Sequence, residues 1–317
     1  MTRPRQFWAL ARESVTAWVD DYAPSMGAAL AYYSLFSIAP LLLIAITIAG
    51  FFFGADAARG EILEQMRGLI GEEGAVALEE LLKSASHPAN SVIGMVTGIV
   101  LLIVGATTVV AELQTALDRI WRAPAPGQQS GVVKWIRSRL LSLGLIAAVG
   151  FLLMVSLVAS AAVTALGKWW GGWFGEWKNV LEIVNQVVGF AIFAGLFALI
   201  YKLLPRVKIA WRDVWVGAAV TSLLFAVGKF LIGYYLGTGS VASGFGAAAS
   251  IVVLLVWLYY SAQIFLLGAE FTWVYAHRQG SRKDRPTPSR ASRPPRRGEA
   301  RQRGGREPVA GIELPLS

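Results

Sequence analysis

The chain has 317 residues, of which 55% are hydrophobic and only 15% are charged, and its mean hydropathy is +0.54. Soluble domains carry about 25% charged residues, so this composition indicates a membrane protein and argues against an ordinary soluble domain. The absence of cysteine excludes disulfides and thiolate metal sites, and two histidines are too few for a histidine-rich metal centre within one chain.

Residues 1–27 are predicted to form an amphipathic helix on the cytoplasmic side. Apolar side chains recur along it at helical spacing: Trp8, Ala11, Val15, Trp18, Val19 and Tyr22. A helix of this kind suits the membrane interface, with its arginines near anionic headgroups. Packing of the same helix on the protein's own cytoplasmic face is an equally open alternative.

Long apolar stretches dominate the rest of the chain. A bilayer core about 30 Å thick needs roughly 20 apolar residues in a helix. Six stretches meet this requirement, at residues 28–53, 92–111, 140–166, 180–204, 214–236 and 247–275. We therefore expect an all-α, polytopic protein with a transmembrane domain at 28–276. The long first loop, residues 55–90, carries two apolar stripes at helical spacing and is predicted to form two short helices on the outer side.

The basic residues predict the orientation of the spans. Three basic residues precede the first span, five lie in the second loop, four lie in or beside the fourth loop, and eleven lie in the tail. The first, third and fifth loops carry three, two and none. Because cytoplasmic loops are enriched in Lys and Arg, both termini are expected on the cytoplasmic side.

The tail, residues 277–317, is rich in Arg and Pro and has no apolar pattern. We expect it to be disordered and to contact anionic lipid or RNA by charge alone, without reading a nucleotide sequence.

Lys229 is the clearest ionisable residue inside a predicted span, in its outer half. A lysine near mid-bilayer costs about 2.5–3.5 kcal/mol, so a partner or a polar route is expected. Glu182 and Asn185 on the fourth span match its depth. Snorkelling to the outer interface is the alternative, and Tyr234 would line the same route.

The inner half collects a second set of candidates. Glu112 ends the second span and Glu270 nears the end of the sixth, so the two carboxylates can bind a cation or relay a proton. Asp118 and Arg119 follow just below Glu112. The alternative is that each acid pairs with an arginine of an inner loop or caps a helix. Pro40 is expected to bend the first span, and broken helices occur at transport sites.

Three segments together resemble the YihY / virulence factor BrkB family of bacterial inner-membrane proteins, formerly mislabelled ribonuclease BN. They are "AALAYYSLFSIAPLLL" in the first span, "LQTALDRIW" after the second and "WLYYSAQIFLLGAEFTWVYA" in the sixth. The resemblance runs from about Trp8 to His277 and implies a six-helix protein of the bacterial inner membrane. The family often has Asn at the position of Asp118, so it assigns that residue no specific role.

Transporter-like activity or envelope lipid handling is the function that these features favour, with the bilayer and anionic phospholipid or a lipid substrate as partners. A structural, partner-binding envelope protein is the alternative. A ribonuclease would need clustered metal ligands, but His87 and His277 are predicted on opposite sides of the membrane. No enzymatic activity, metal or cofactor is expected.

Overall fold

The computed structural model describes residues 3–85, 108–124, 177–237 and 249–283. Within these ranges every regular element is an α-helix, and no strand occurs. In chain order the helices are α1 (Arg3–Asp20), α2 (Ala23–Phe53), α3 (Ala55–Ala85), α4 (residues 108–120), α5 (Trp177–Leu203), α6 (Trp211–Gly237) and α7 (Ala249–Arg278).

Four predicted spans correspond to α2, α5, α6 and α7. The largest difference is at the start of the first span, where α2 begins five residues earlier because a proline in its first turn suits a helix N-terminus. Most of the second predicted span, all of the third and the tail beyond residue 283 lie outside the described residues. So do the side chains of Pro40, Glu182, Asn185 and Tyr234, although α2 is a continuous helix through position 40.

Helices α6 and α7 are antiparallel neighbours at close range. Gly217, near the start of α6, lies against Thr272 near the end of α7, and Gly228 lies against Tyr260. Residue numbers therefore increase along α6 in the direction in which they decrease along α7, as expected for antiparallel helices.

The α5–α6 pair is also antiparallel. The Tyr201 hydroxyl lies 3.1 Å from Thr221 Oγ1, and the rings of Phe193 and Phe225 have centroids 5.3 Å apart. Along α2, the Pro24 carbonyl accepts a hydrogen bond from Gln263 at the middle of α7. Further along, α2 packs against the first half of α7, so these two helices are antiparallel as well.

Three of the described helices are long and apolar enough to cross a membrane: Gln186–Leu203, Trp211–Ile232 and Ile251–Arg278. Large apolar side chains point outward from the helices, as in α2, where Phe51 is 86% exposed, and in α6, where Phe230 is 78% exposed. Surfaces this apolar are expected where helices meet lipid hydrocarbon, because water would not solvate them well.

Small residues allow α6 and α7 to approach. Thr221 Oγ1 donates to the Gly217 carbonyl one turn back, and Thr272 Oγ1 donates to the Gly268 carbonyl in the same way. Each threonine also lies against the glycine of the other helix. The result is a reciprocal Gly-x-x-x-Thr pair, a form of the small-residue contacts that bring membrane helices together.

The main hydrophobic core lies around the second half of α7, where α1, the start of α2, α4, the end of α5 and the start of α6 meet. Its fully buried side chains include Leu117, Ile120, Tyr201, Leu266 and Val274. Polar and charged residues are buried in the same region, which makes it the place to look for a functional site.

Helix α3 consists of two helical parts joined at Gly71, which has φ +80° and ψ 174°. This confirms the two helices predicted for the first loop, and a glycine at their junction has the positive φ that other residues rarely adopt. Both parts pack on the bundle: Leu78 and Leu82 share a second core with Leu42 of α2 and Leu254 of α7.

Candidate functional site

Glu270 and Asp213 are the two most deeply buried acids among the described residues. The side chain of Glu270 is 1% exposed, on the half of α7 that forms the main core. One of its carboxyl oxygens, Oε1, has no hydrogen-bond partner. An unsatisfied buried oxygen is costly, so a residue of this kind requires an explanation beyond packing.

The turn between α1 and α2 brings a second carboxyl group to Glu270. Asp21 is 7% exposed and lies near Glu270, and Asp20 at the end of α1 is a further acid in the same region. The turn is held by the Asp21 N–H, which donates to the Ala17 carbonyl at 2.8 Å, and by Tyr22, which has φ 59° and ψ 36° before α2 begins.

Arg122 supplies the positive charge. It follows α4, where the Ala123 N–H donates to the Asp118 carbonyl at 2.8 Å and closes the helix end. The guanidinium lies over the ring of Trp273, with Cζ 4.4 Å from the ring centroid, in the same region as Glu270. The Trp273 ring therefore holds the cation beside α7 through a cation–π contact.

Backbone strain coincides with this cluster. Among the described residues, Tyr22 and Arg122 are the non-glycine residues with positive φ, at 59° and 50°. One directly follows Asp21 and the other supplies the cation. Such conformations cost about 1–3 kcal/mol and cluster at functional sites, because only a strongly constrained surrounding keeps them.

A polar stripe on α7 extends from the cluster in both directions. Gln263 and His277 lie seven residues before and after Glu270, which is about 10 Å along the helix and on the same face. Gln263 Nε2 donates to the Pro24 carbonyl at 3.3 Å, and its Oε1 is another buried oxygen without a partner. His277 lies at the end of α7, where its Nδ1 is 2.8 Å from the Trp273 carbonyl oxygen one turn earlier.

The arrangement can bind a proton or a small cation. We will call Glu270, Asp21 and Arg122 the α7 acid cluster. No group of three or more His, Asp or Glu residues that could hold a metal ion occurs in the described part of the chain. The described residues therefore give no support to metal-dependent RNA cleavage.

The other inner-face candidates lie outside the α7 acid cluster. Asp118 pairs with Arg206, 3.2 Å from Oδ2 to Nε, and accepts the Arg206 N–H at 2.8 Å. Burial raises the pKa of Asp118 above its usual value, and Arg206 opposes that shift. Arg119 lies over the Tyr22 ring at 5.5 Å. Glu112 is half-buried on α4 and is not among the charged groups that act on Glu270.

Lys229 has an exposed side chain on α6, next to exposed Phe230 and Leu231. Among the described side chains it makes no ion pair. The proposed partners Glu182 and Asn185 lie on α5, with side chains outside the described residues, so that pairing stays a prediction.

One surface of α1 faces outward. Leu10 and Ser14 are buried against the bundle, while Trp8 is 73% exposed, and Val15 and Val19 are exposed on the same stripe. The exposed, basic Arg12 lies on this stripe as well. We will call Trp8, Arg12, Val15 and Val19 the α1 outer stripe. Helix α1 thus packs on the bundle, with Trp18 of the predicted stripe against the main core, while the α1 outer stripe stays exposed; contact of this stripe with the membrane stays a prediction.

Sequence reasoning identified Glu270 but missed Asp21 and Arg122 as its neighbours. The available signal was their position: Asp21 directly precedes the first apolar stretch, and Arg122 ends the "DRIWR" segment after the second. Both positions are predicted near the inner face, at the depth expected for Glu270. Depth alone did not indicate which helix ends meet.

The family model described as "Virulence factor BrkB" matches residues 14–293. The UPF0761 membrane protein of Tolumonas auensis is 28% identical over 257 residues, which cover 80% of each chain. UPF0761 membrane proteins of Pseudomonas aeruginosa and Alcanivorax borkumensis are 27% identical over 80% and 79% of this chain. The matches cover 59% and 56% of those two relatives. No solved structure gives a significant match.

Proposed function

The chain belongs to the virulence factor BrkB family of membrane proteins, and on that premise we propose that it is a multi-pass inner-membrane protein with transporter-like activity. The observation that carries the proposal is the α7 acid cluster. An ionisable group inside a span is expensive, and such groups mark ion and substrate routes. Glu270 lies within the apolar stretch Ile251–Arg278 and is buried with an unsatisfied oxygen.

We propose six spans with both termini in the cytoplasm. The alternating directions of α5, α6 and α7, and the antiparallel contact of α2 with α7, support this topology. The charge distribution supports the orientation, because basic residues concentrate in the segments that would lie inside.

Single cysteines test the orientation cleanly, since the natural chain has none. Gly60→Cys on α3 and Lys283→Cys after α7 are matched reporters, because both positions are exposed. A membrane-impermeant maleimide applied to spheroplasts should label Gly60→Cys alone, and Lys283→Cys only after lysis. Labelling of Lys283→Cys in intact spheroplasts would contradict the topology.

Handling of lipid is the form of this activity that the surface favours. The α1 outer stripe combines apolar side chains with a cation, which suits anionic headgroups at the inner interface. Lys229 offers an exposed ammonium on an apolar helix surface, where a lipid phosphate is a suitable partner. In this proposal Glu270 couples ion movement to lipid movement.

Reconstitution tests the activity directly. Purified protein in liposomes is assayed for ion flux and for lipid scrambling. We expect Glu270→Gln to abolish both, because the substitution keeps the shape and removes the ionisable group. Lys229→Ala should slow scrambling and leave ion flux, while Lys229→Arg retains both. Glu61→Gln, a half-buried acid of α3, is the matched control. Full activity in Glu270→Gln would refute the proposal.

A partner-binding envelope protein is the second candidate, favoured by the exposed charges of α3. There Arg67 bridges Glu64 and Glu72 at 2.6 and 2.7 Å on the exposed surface. Such a surface usually interacts only with solvent, as charged helix faces do. If this candidate is correct, replacing the exposed charges of α3 should impair function in cells more than Glu270→Gln does. Complementation of a deletion strain by each variant measures this difference.

A further inference from the structure

The turn between α5 and α6 concentrates positive charge without acids to balance it. Residues 202–212 contain no acidic side chain and four basic ones: Lys202, Arg206, Lys208 and Arg212. Asp118 of α4 pairs with Arg206, 3.2 Å from Oδ2 to Nε. Among the described residues, the other three basic side chains make no ion pair. The turn therefore carries three positive charges that the described part of the protein does not neutralise.

The next acid along the chain, Asp213, is already bound to another segment. Its side chain is fully buried, and its carboxylate accepts hydrogen bonds from the Ser281 N–H and hydroxyl. In the same segment, Arg282 donates to the Lys208 carbonyl at 2.8 Å and brings a further cation to the turn. An anion from outside the protein is thus the natural partner for the charges of this turn.

Neutral groups hold Lys202 in place. Its Nζ donates to the Ile209 carbonyl across the turn and lies 5.3 Å from the centroid of the Trp211 ring. Both groups attract a cation, but neither carries a net charge. An ammonium group has three N–H donors, so Lys202 keeps donors for an anion. The last turn of a helix also suits a cation, but this does not account for Lys208 and Arg212, which lie beyond it.

Two exposed tryptophans lie beside these cations. Trp211 and Trp215 are one turn apart on α6 and are 48% and 50% exposed. Trp211 begins the apolar stretch of α6, and the exposed Leu203 ends that of α5, so the turn marks one end of both spans. Tryptophan prefers the level of lipid headgroups. The turn thus offers cations for a phosphate and an apolar wall for the glycerol and acyl chain attached to it.

Soluble anions fit this turn less well than a lipid does. Free phosphate would use the cations but would leave the exposed Leu203, Trp211 and Trp215 uncovered. Bases of RNA can stack on tryptophan, but the apolar surface here continues into the spans, where a nucleic acid does not enter. A lipid matches both parts of the surface, because its charged and apolar groups are joined at the same level.

We propose that the α5–α6 turn binds the headgroup of an anionic phospholipid. Lys202, Lys208 and Arg212 bind the phosphate, while Trp211 and Trp215 pack against the glycerol and the first acyl carbons. The site is distinct from Lys229, which lies about 25 Å further along α6 than Arg212. In the proposed topology the lipid belongs to the inner leaflet. The choice of leaflet rests on that topology, but binding rests neither on it nor on the transporter-like activity.

Retention of lipid by the purified full-length protein tests the site. Native mass spectrometry from a neutral detergent compares phosphatidylglycerol with phosphatidylcholine at equal concentration. The wild type should retain phosphatidylglycerol preferentially. Lys208→Gln and Arg212→Gln should each weaken its binding about fivefold, the contribution expected of one basic residue near an anionic lipid. Trp211→Ala should weaken binding of both lipids. Lys83→Gln on α3 removes the same charge from another exposed position and should change neither.

Four results would overturn the proposal. A wild type that retains both lipids equally has no site for an anionic headgroup. Full retention of phosphatidylglycerol by the Lys208→Gln, Arg212→Gln double variant, or by Trp211→Ala, would place the lipid elsewhere. An equal loss in Lys83→Gln would indicate an effect of net charge alone. Displacement of the lipid by glycerol phosphate or an RNA oligomer at matched concentration would indicate a site for soluble anions. The wild-type comparison needs no variant, so a misfolded mutant leaves the test intact.

Lipid retention and the liposome assays separate the two proposals. A protein that retains phosphatidylglycerol at this turn but moves neither ions nor lipid refutes the transporter-like function and supports the headgroup site. A protein that is active without selective retention refutes the headgroup site alone.

Discussion

Replacing Gly268 by alanine tests whether the reciprocal Gly–Thr contact holds α6 against α7. A Cβ at Gly268 would overlap Thr221 Oγ1 and lie 2.8 Å from both Thr221 Cβ and Tyr201 Oη. Ordinary van der Waals contact begins near 3.4 Å, and Thr221 is already bound at its hydroxyl by Tyr201 and by its own helix. The helices must therefore separate or the threonine must leave its position.

The magnitude follows from two opposing effects. Added volume in a well-packed core costs about 1–3 kcal/mol, whereas alanine is favoured over glycine in a helix interior by about 0.8–1.0 kcal/mol. Gly189→Ala on α5 isolates the helix-propensity effect, because a Cβ there meets nothing within 4 Å. That variant gains helix propensity without the clash, so the difference between the two variants measures packing alone.

Thermal unfolding in detergent micelles is the assay. We expect Gly189→Ala to match or exceed the wild type and Gly268→Ala to unfold at a lower temperature. The double variant Gly268→Ala with Thr221→Ala should recover part of the loss, since it removes the overlapping atom. Equal midpoints for the two glycine variants, or strictly additive losses in the double variant, would refute the packing argument.

Three further predictions concern single contacts. Because burial raises the pKa of Asp118, its contribution to stability is complete below the usual value of 3.8 and is lost as pH rises through the folded value. Asp118→Asn should therefore gain stability relative to the wild type from acidic to neutral pH, while Asp118→Ala leaves Arg206 without an acceptor and unfolds earlier at every pH. Tyr201→Phe removes the hydroxyl that donates to an α7 carbonyl at 2.7 Å and should cost about 1–3 kcal/mol, measured by thermal unfolding. An environment-sensitive dye on Val15→Cys should shift to the blue in anionic vesicles compared with detergent, whereas the same dye on exposed Ala9→Cys should not. Equal shifts at both sites would argue against an interfacial α1.

Helix positions were predictable to within a few residues. The first, fourth, fifth and sixth predicted spans appear as helices α2, α5, α6 and α7, because an apolar stretch of this length with few charges has few alternatives to a long helix. The two helices of the first loop were predictable from their apolar stripes. Their docking was not predictable, since it depends on Leu78 and Leu82 packing against α2 and α7.

The sequence did not indicate which residues bring α6 and α7 together. Among the described residues, the tightest approach uses Gly217, Gly268 and two threonines. In a chain with 33 glycines, spacing alone cannot show which glycines face another helix.

The amino-acid sequence by itself determined that this chain enters a membrane, where its long helices lie, and that Glu270 is a costly residue near one end of the last helix. These features depend on local composition and on charge, which can be read along the chain. Only the tertiary structure decided that Asp21 and Arg122 reach Glu270 and that Lys229 faces outward. The proximity of residues 21, 122 and 270 depends on which faces of the helices pack together. The hydropathy of the sequence does not encode that choice.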